Sequence, residues 1–255
     1  DVLRIRRRVA LDNLQIAFPE WTYLQRARVA RRSLVSMGLT LLEFCEFPFM
    51  DRTRTEKIFK VYGEEHMRQA MAKGKGVLGL TLHLGNGDLA AGALSQLGFP
   101  ISLISKNFKS KWLNDLWFEL RTRLGTRFIS PEKSSFEILR ALKKQDIVVF
   151  VLDQFMGPPI GVRTQFFGRE TGTAMGLALM AERTGAPVVP MYTVRQPDGT
   201  AVVIFEPEIA MQDFGLRDET IARMTQVYTD KIEEIVRKHP DQWMWIHRRW
   251  KDFVD

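Results

Sequence analysis

Val77-Leu78-Gly79-Leu80-Thr81-Leu82-His83-Leu84-Gly85-Asn86-Gly87-Asp88 is the stretch on which the fold turns. An apolar run of strand length enters a Gly-Asn-Gly turn, and an aspartate opens the helical pattern at 88–97. A buried strand that hands over to a helix through a tight turn is half of a βαβ unit. In open α/β sheets, ligands bind at the carboxyl ends of the strands, so His83 is predicted to face a cleft. Asp88, one helical turn on, is predicted to accept the second ring proton, fixing the tautomer and stabilising the imidazolium formed when the ring takes a proton.

The same alternation continues outward from this stretch. Strands are predicted at 57–62, 77–82, 101–105, 127–129, 147–152, 188–194 and 201–206, with helices at 64–72, 88–97, 110–124, 134–143, 173–184 and 218–238. Gly185 is a C-terminal helix stop, and Ser134 with Glu137 makes a capping box. Gln196-Pro197-Asp198-Gly199 is a turn, so the strands on either side of it should pair antiparallel within a mixed sheet. The segment 153–172 reads as a long loop, a common place for function. Before residue 50 the chain is helical: a basic helix at 2–18 ends before Pro19, and Thr22 with Gln25 caps a long, greasy helix running toward Met50. The expected architecture is one α/β domain over 1–255, with a mixed central β-sheet flanked by helices: a helical segment at 1–50 and an α/β core at 56–255.

Composition narrows the partners. The net charge of +7 calls for an anionic partner: nucleic acid, a phosphorylated lipid or a membrane surface. No nucleic-acid-binding motif is present, so nucleic acid is not an expected partner. The single cysteine, Cys45, excludes an internal disulfide framework and a Cys-rich zinc site, which fits a reducing compartment. Four scattered histidines offer no metal-ligand cluster, and neither a metal nor another cofactor is expected. No stretch qualifies as a spanning helix: the longest weakly charged region, 76–105, contains Asp88, Pro100 and six glycines.

The spacing of His83 and Asp88 is weak by itself. With four histidines and 30 acidic residues, about half of one His-x-x-x-x-Asp/Glu match is expected by chance. Two occur, and the second, His247 to Asp252, lacks both the strand and the glycine turn. A structural role for the first match is a helix cap at Asp88 and a hydrogen-bonded histidine at a strand end. The same turn also fits a dinucleotide fingerprint, Gly85-x-Gly87-x-x-Ala90, and leaves a nucleotide-cofactor oxidoreductase as the alternative. The acidic ribose ligand that should end the next strand is missing; Lys106 stands there. No Gly-x-Ser-x-Gly elbow exists, and Glu43 and Glu46 flank Cys45, so a covalent nucleophile is not indicated. A base without a nucleophile suits direct transfer from an activated carbonyl such as a thioester.

Four blocks in order carry a family resemblance: His83-Leu84-Gly85-Asn86-Gly87-Asp88, Val151-Leu152-Asp153-Gln154, Phe166-Phe167-Gly168, and Gln242-Trp243-Met244-Trp245-Ile246-His247-Arg248-Arg249. Together they resemble the bacterial lipid A biosynthesis (late) acyltransferases, from Asn13-Leu14 and Phe18-Pro19-Glu20 to Lys251. The resemblance implies a glycerolipid-acyltransferase-like fold and O-acyl transfer from an acyl carrier protein or coenzyme A thioester to a membrane glycolipid or lysolipid, such as a lipid A precursor. It makes His83 the base and Asp88 its catalytic partner, with Arg121, Asp153, Asn86 and Gln154 as substrate-binding or oxyanion-supporting groups. It also implies work at the cytoplasmic face of the inner membrane and an N-terminal anchor upstream of Asp1. Gly87 departs from the family, which usually has a bulky aromatic there. An anionic membrane surface is therefore an expected partner, to be met by the basic helix at 2–18, the greasy helix at 33–50 and the tryptophan-rich basic tail.

Overall fold

The computed structural model describes residues 6–130 and 134–253, without the Ser134 side chain. The chain winds in the order α1 (Arg7–Ala17), α2 (Tyr23–Glu43), a 3₁₀ turn (Phe44–Phe49), α3 (Arg52–Ile58), β1 (Phe59–Tyr62), α4 (Glu64–Met71), β2 (Val77–Thr81), α5 (Gly87–Gln96) and β3 (Ile101–Ile104). It continues through α6 (Lys111–Arg123), β4 (Arg127–Ile129), α7 (Ser134–Lys143), β5 (Ile147–Val151), β6 (Gly161–Phe166), β7 (Arg169–Ala174), α8 (Gly176–Thr184), β8 (Val188–Arg195), β9 (Ala201–Phe205) and α9 (Arg217–Lys238).

Seven strands form one mixed sheet in the order β1-β9-β8-β2-β5-β3-β4. All neighbours are parallel except β8 and β9, which pair antiparallel across the predicted Pro197 turn. The α/β class and mixed sheet expected from the sequence are therefore present. β2 lies near the middle, where the chain departs toward β3 on one side and returns from β5 to β8 on the other. Such a switch in direction leaves a crevice at the strands' carboxyl ends.

Alternation along β2 shows how the layers form. Leu78 and Leu80 pack into the apolar layer that holds α1, α8 and α9, while Val77 points into the layer built on α4 and α5. Burial of each such side chain contributes about 1.5–3 kcal/mol. The N- and C-terminal segments close on each other: Asn13 Nδ2 donates to the Trp245 and His247 carbonyls at 2.7 and 2.6 Å.

Local signals account for most boundaries. Thr22 and Gln25 form the capping box at the head of α2, and Gly185 closes α8 at φ 61. The greasy helix stops earlier than expected, at Glu43, and tightens into the 3₁₀ turn that contains Pro48, which cannot donate to an α-helical ladder. Residues 52–58, partly assigned to the first strand, form α3, capped by Asp51, whose Oδ1 accepts the Arg54 N–H. Most of the β6–β7 hairpin, which packs on α9, falls in the expected loop at 153–172; its last two residues displace the start of the helix expected at 173–184, which begins at Gly176. Part of the helix expected at 2–18 and the Ser134 half of the second capping box lie outside the described residues. Glu137 instead accepts the Ser130 N–H at 3.0 Å.

Candidate active site

The register of β2 against β5 builds the site. Thr81 pairs with Val151 in parallel, so the residues two further along, His83 and Asp153, leave the sheet side by side. Asp153 Oδ1 accepts from His83 Nδ1 at 2.8 Å, and Oδ2 accepts the His83 backbone N–H at 3.0 Å and the Trp243 indole N–H at 2.7 Å. The Asp153 side chain is 1% exposed, whereas that of His83 is 41% exposed. Nε2 of His83 has no partner among the described residues, so the ring is held at one nitrogen and open at the other.

This differs from the expected pairing. Asp88 does not meet the His83 ring; its Oδ1 is ion-paired with Arg121 Nη2. The expected arrangement counted one helical turn from His83 but could not include the neighbouring strand, whose aspartate is closer. Asp88 still acts on the ring through space.

Charge follows from these contacts. Burial alone would raise the Asp153 carboxyl, but His83, its backbone N–H and the Trp243 N–H overcome it and hold the group at about 2. Asp153 is thus a carboxylate, and Nδ1 must carry the proton between them. Desolvation pulls the His83 ring down, yet the charge and hydrogen bond of Asp153, with the charge of Asp88, leave its pKa above the usual 6.5. His247 is the reverse case: burial lowers its pKa, and its Nε2 accepts the Phe155 N–H at 3.1 Å.

Arg121 is 3% exposed, near the C-terminal end of α6. Its guanidinium lies 4.2 Å from the Phe128 ring centre and 5.2 Å from that of Trp117, and Nη1 donates to Ser105 Oγ at 3.1 Å. Burial lowers its pKa and Asp88 opposes the fall; the group stays charged. Without it, Asp88 has lost its cation and the rings of Trp117, Phe118 and Phe128 face a void. Arg121→Ala is expected to lower the unfolding free energy by on the order of 3 kcal/mol. Chemical denaturation reads this directly, and an unchanged midpoint would mean that the pair is solvated.

The other expected site residues divide. Asn86 builds the turn: its Oδ1 accepts the Leu89 N–H at 3.0 Å, capping α5, and its Nδ2 donates to Glu43 at 2.8 Å. Both ends of its amide are occupied. Gln154 contributes its carbonyl, which accepts from Arg249 Nη1 at 3.3 Å. Gly85 sits at φ 58, where a Cβ would stand 2.7 Å from the Thr193 carbonyl oxygen, so only glycine fits. At Gly87 an added Cβ would meet nothing within 4 Å.

Several partners were not assigned from sequence. Trp243 lay within a quoted block, but nothing in its spacing revealed that its N–H reaches Asp153. Glu43 and Arg195 also support the turn: Glu43 takes Arg195 Nε at 2.6 Å and Nη2 at 2.9 Å, and Thr40 Oγ1 donates to the Gly85 carbonyl at 3.0 Å. Phe166 and Phe167 are buried against Trp243, Trp245 and Trp250 and close the core. Among the described residues, no group of three or more His, Cys, Asp or Glu is arranged to hold a metal ion.

The chain matches, over residues 2–252, the sequence family described as bacterial lipid A biosynthesis acyltransferase. It is 27% identical over 254 residues to the lipid A biosynthesis lauroyltransferase of Escherichia coli (strain K12), covering 98% of this chain and 80% of the relative. Identity to the lipid A biosynthesis palmitoleoyltransferase of the same organism is 26% over 253 residues, with coverage of 98% and 80%. A phosphatidylinositol mannoside acyltransferase of Mycolicibacterium smegmatis is 26% identical over 223 residues, covering 86% of this chain and 71% of the relative.

Proposed function

The chain belongs to the bacterial lipid A biosynthesis acyltransferase family and is an acyltransferase, and we propose that it moves a fatty acyl group from an acyl carrier protein or coenzyme A thioester to a hydroxyl of a membrane glycolipid or lysolipid. A lipid A precursor is the acceptor that its relatives suggest. Residues 1–255 act in this reading as one catalytic domain. The observation that carries it is the His83–Asp153 pair at the end of the central strand, with Nε2 open and the Asp88–Arg121 pair beside it.

In the proposed reaction, Nε2 takes the acceptor hydroxyl proton as the oxygen attacks the thioester carbonyl carbon. The carbon–oxygen π electrons move onto the carbonyl oxygen, and the tetrahedral intermediate collapses with loss of the thiolate, which takes from the imidazolium the proton that came from the acceptor hydroxyl. Asp153 holds the ring and offsets its charge without taking the proton. Arg121, fixed by Asp88, and the positive N-terminal end of α5 supply the field that favours the oxyanion. Asp88→Asn is expected to slow transfer less than loss of His83, because it weakens the hold on Arg121 and leaves the base in place. Equal losses in single-turnover assays would assign Asp88 a direct part in the proton transfer.

The experiment that tests the function supplies the purified chain with a labelled acyl thioester and a glycolipid extract, then reads the lipids by mass spectrometry. An acceptor heavier by one esterified acyl group is expected. Release of free fatty acid alone would contradict the proposal.

The reaction is proposed to occur at the cytoplasmic face of the inner membrane. Among the described residues no helix is long and apolar enough to cross a bilayer. The expected tryptophan-rich contact needs correction, because Trp243 and Trp245 are 1% and 0% exposed and belong to the core. Exposed apolar side chains lie elsewhere, among them Leu41 and Leu42 on α2, Phe49 beyond it, and Trp112 on α6. Phe44 stacks on Trp117 at 4.1 Å and joins these elements, and Lys106, Lys109 and Lys111 shortly precede Trp112 in the chain. Such a surface suits an anionic bilayer. Binding to anionic vesicles is expected to weaken with salt, and Leu42→Asp with Trp112→Asp should lower it about tenfold or more. Unchanged co-sedimentation of this double variant would place the contact on another face.

A further inference from the structure

Along one flank of α2 runs a groove of about 560 Å³, walled by α2, the β8–β9 turn and the segment around Asp241 and Gln242. Its α2 wall is one helical face: Arg28, Arg31 and Arg32 at one end, then Val35 and Leu39. At 1.5 Å per residue, Arg28 and Leu39 lie about 16 Å apart along the axis. The cationic end is only partly neutralised by its surroundings. Arg28 and Arg31 have no ion pair among the described residues, and Arg32 has only Asp241, at 3.8 Å. Arg195, on the opposite wall, is occupied by Glu43, Ser36 and Thr40. Val35 and Leu39 remain 47% and 40% exposed.

We infer that this groove is a second binding site, for the phosphate-bearing headgroup of an anionic membrane lipid, with the phosphate on Arg28 and Arg31 and the first part of the hydrocarbon on Val35 and Leu39. Free guanidinium groups bind phosphate oxygens in bidentate fashion, and each charge-assisted pair adds substantially to affinity. A bare anion would use only half the groove, and a neutral lipid only the other half. The graded wall fits a molecule that is both. The site stands apart from the acyl-transfer reading, because none of these residues touches His83, Asp153, Asp88 or Arg121.

Calorimetry on the full chain, with dihexanoyl phosphatidate below its micelle concentration, tests this against inorganic phosphate and dihexanoyl phosphatidylcholine. Phosphatidate is expected to bind at least about tenfold more tightly than either comparator. Arg28→Ala with Arg31→Ala should weaken phosphatidate about tenfold or more. Leu39→Ser should weaken it several-fold while leaving phosphate unaffected. All three positions are exposed on a helix, so thermal melts should match the parent. His83→Ala should bind phosphatidate as the parent does, which separates this site from the proposed reaction. Equal affinity for phosphatidate and phosphate would show an adventitious anion patch. Phosphatidate binding that ignores the arginine substitutions, or no binding at all, would overturn the inference.

Discussion

His83→Ala is expected to lower the single-turnover rate of acyl transfer by about 10²–10⁴, the usual cost of losing a positioned general base. The fold should survive. The free edge of the ring reaches solvent, with 41% of the side chain exposed, and the residue's backbone N–H keeps its bond to Asp153 whatever the side chain. What the substitution removes is a group that is open at one nitrogen, tautomerically fixed and raised in pKa by two carboxylates. It also leaves the Asp153 carboxylate buried with one donor fewer, so a modest drop in melting temperature should accompany the loss. Near-parent turnover by a well-folded variant would remove His83 from the mechanism.

The second large effect is expected from Asp153→Asn, for a reason specific to this geometry. Oδ2 of Asp153 accepts two N–H groups, from the His83 backbone and from Trp243. In the variant those two donors select the amide oxygen for that position and place the NH₂ against His83 Nδ1. Nδ1 must then accept rather than donate, which forces the proton onto Nε2, the nitrogen that has to act as base. Transfer should fall by about 10²–10⁴, comparable with deletion of the base, although the two side chains have nearly the same shape. The remaining activity should also titrate at lower pH, because the anion that raises the ring's pKa is gone. A loss below tenfold, with the parent pH dependence, would mean that Asp153 is structural.

Much of this organisation could be read in the chain. The strand-turn-helix around His83, the mixed sheet and the antiparallel β8–β9 pair followed from periodicity and turn residues. What escaped was set by long-range contacts. The β6–β7 hairpin was hidden because its strands are rich in Thr, Gly and charged residues, and their burial depends on α9 and the C-terminal segment. The His83 partner was misplaced because the helical spacing to Asp88 is local, whereas Asp153 arrives by the pairing of β5 with β2, seventy residues apart in sequence. Had that adjacency been known, the Thr81–Val151 register would have brought the two together by counting alone. The tail tryptophans carried the signature of an interfacial belt, but burial is a property of the whole fold. Trp243 gives its N–H to the Asp153 carboxylate instead.

The pH dependence of kcat/KM tests the general-base role of His83 most directly, with a donor and acceptor that do not titrate in the same range. The base works only when unprotonated, and its pKa in the free protein is raised above 6.5 by Asp153 and Asp88. Activity is therefore expected to fall with acid through a single limb whose midpoint lies above 6.5, and Asp153→Asn should move that midpoint downward. A limb centred below 6.5 in the parent protein, or a rate independent of pH between about 5 and 8, would contradict a His83 base held by Asp153.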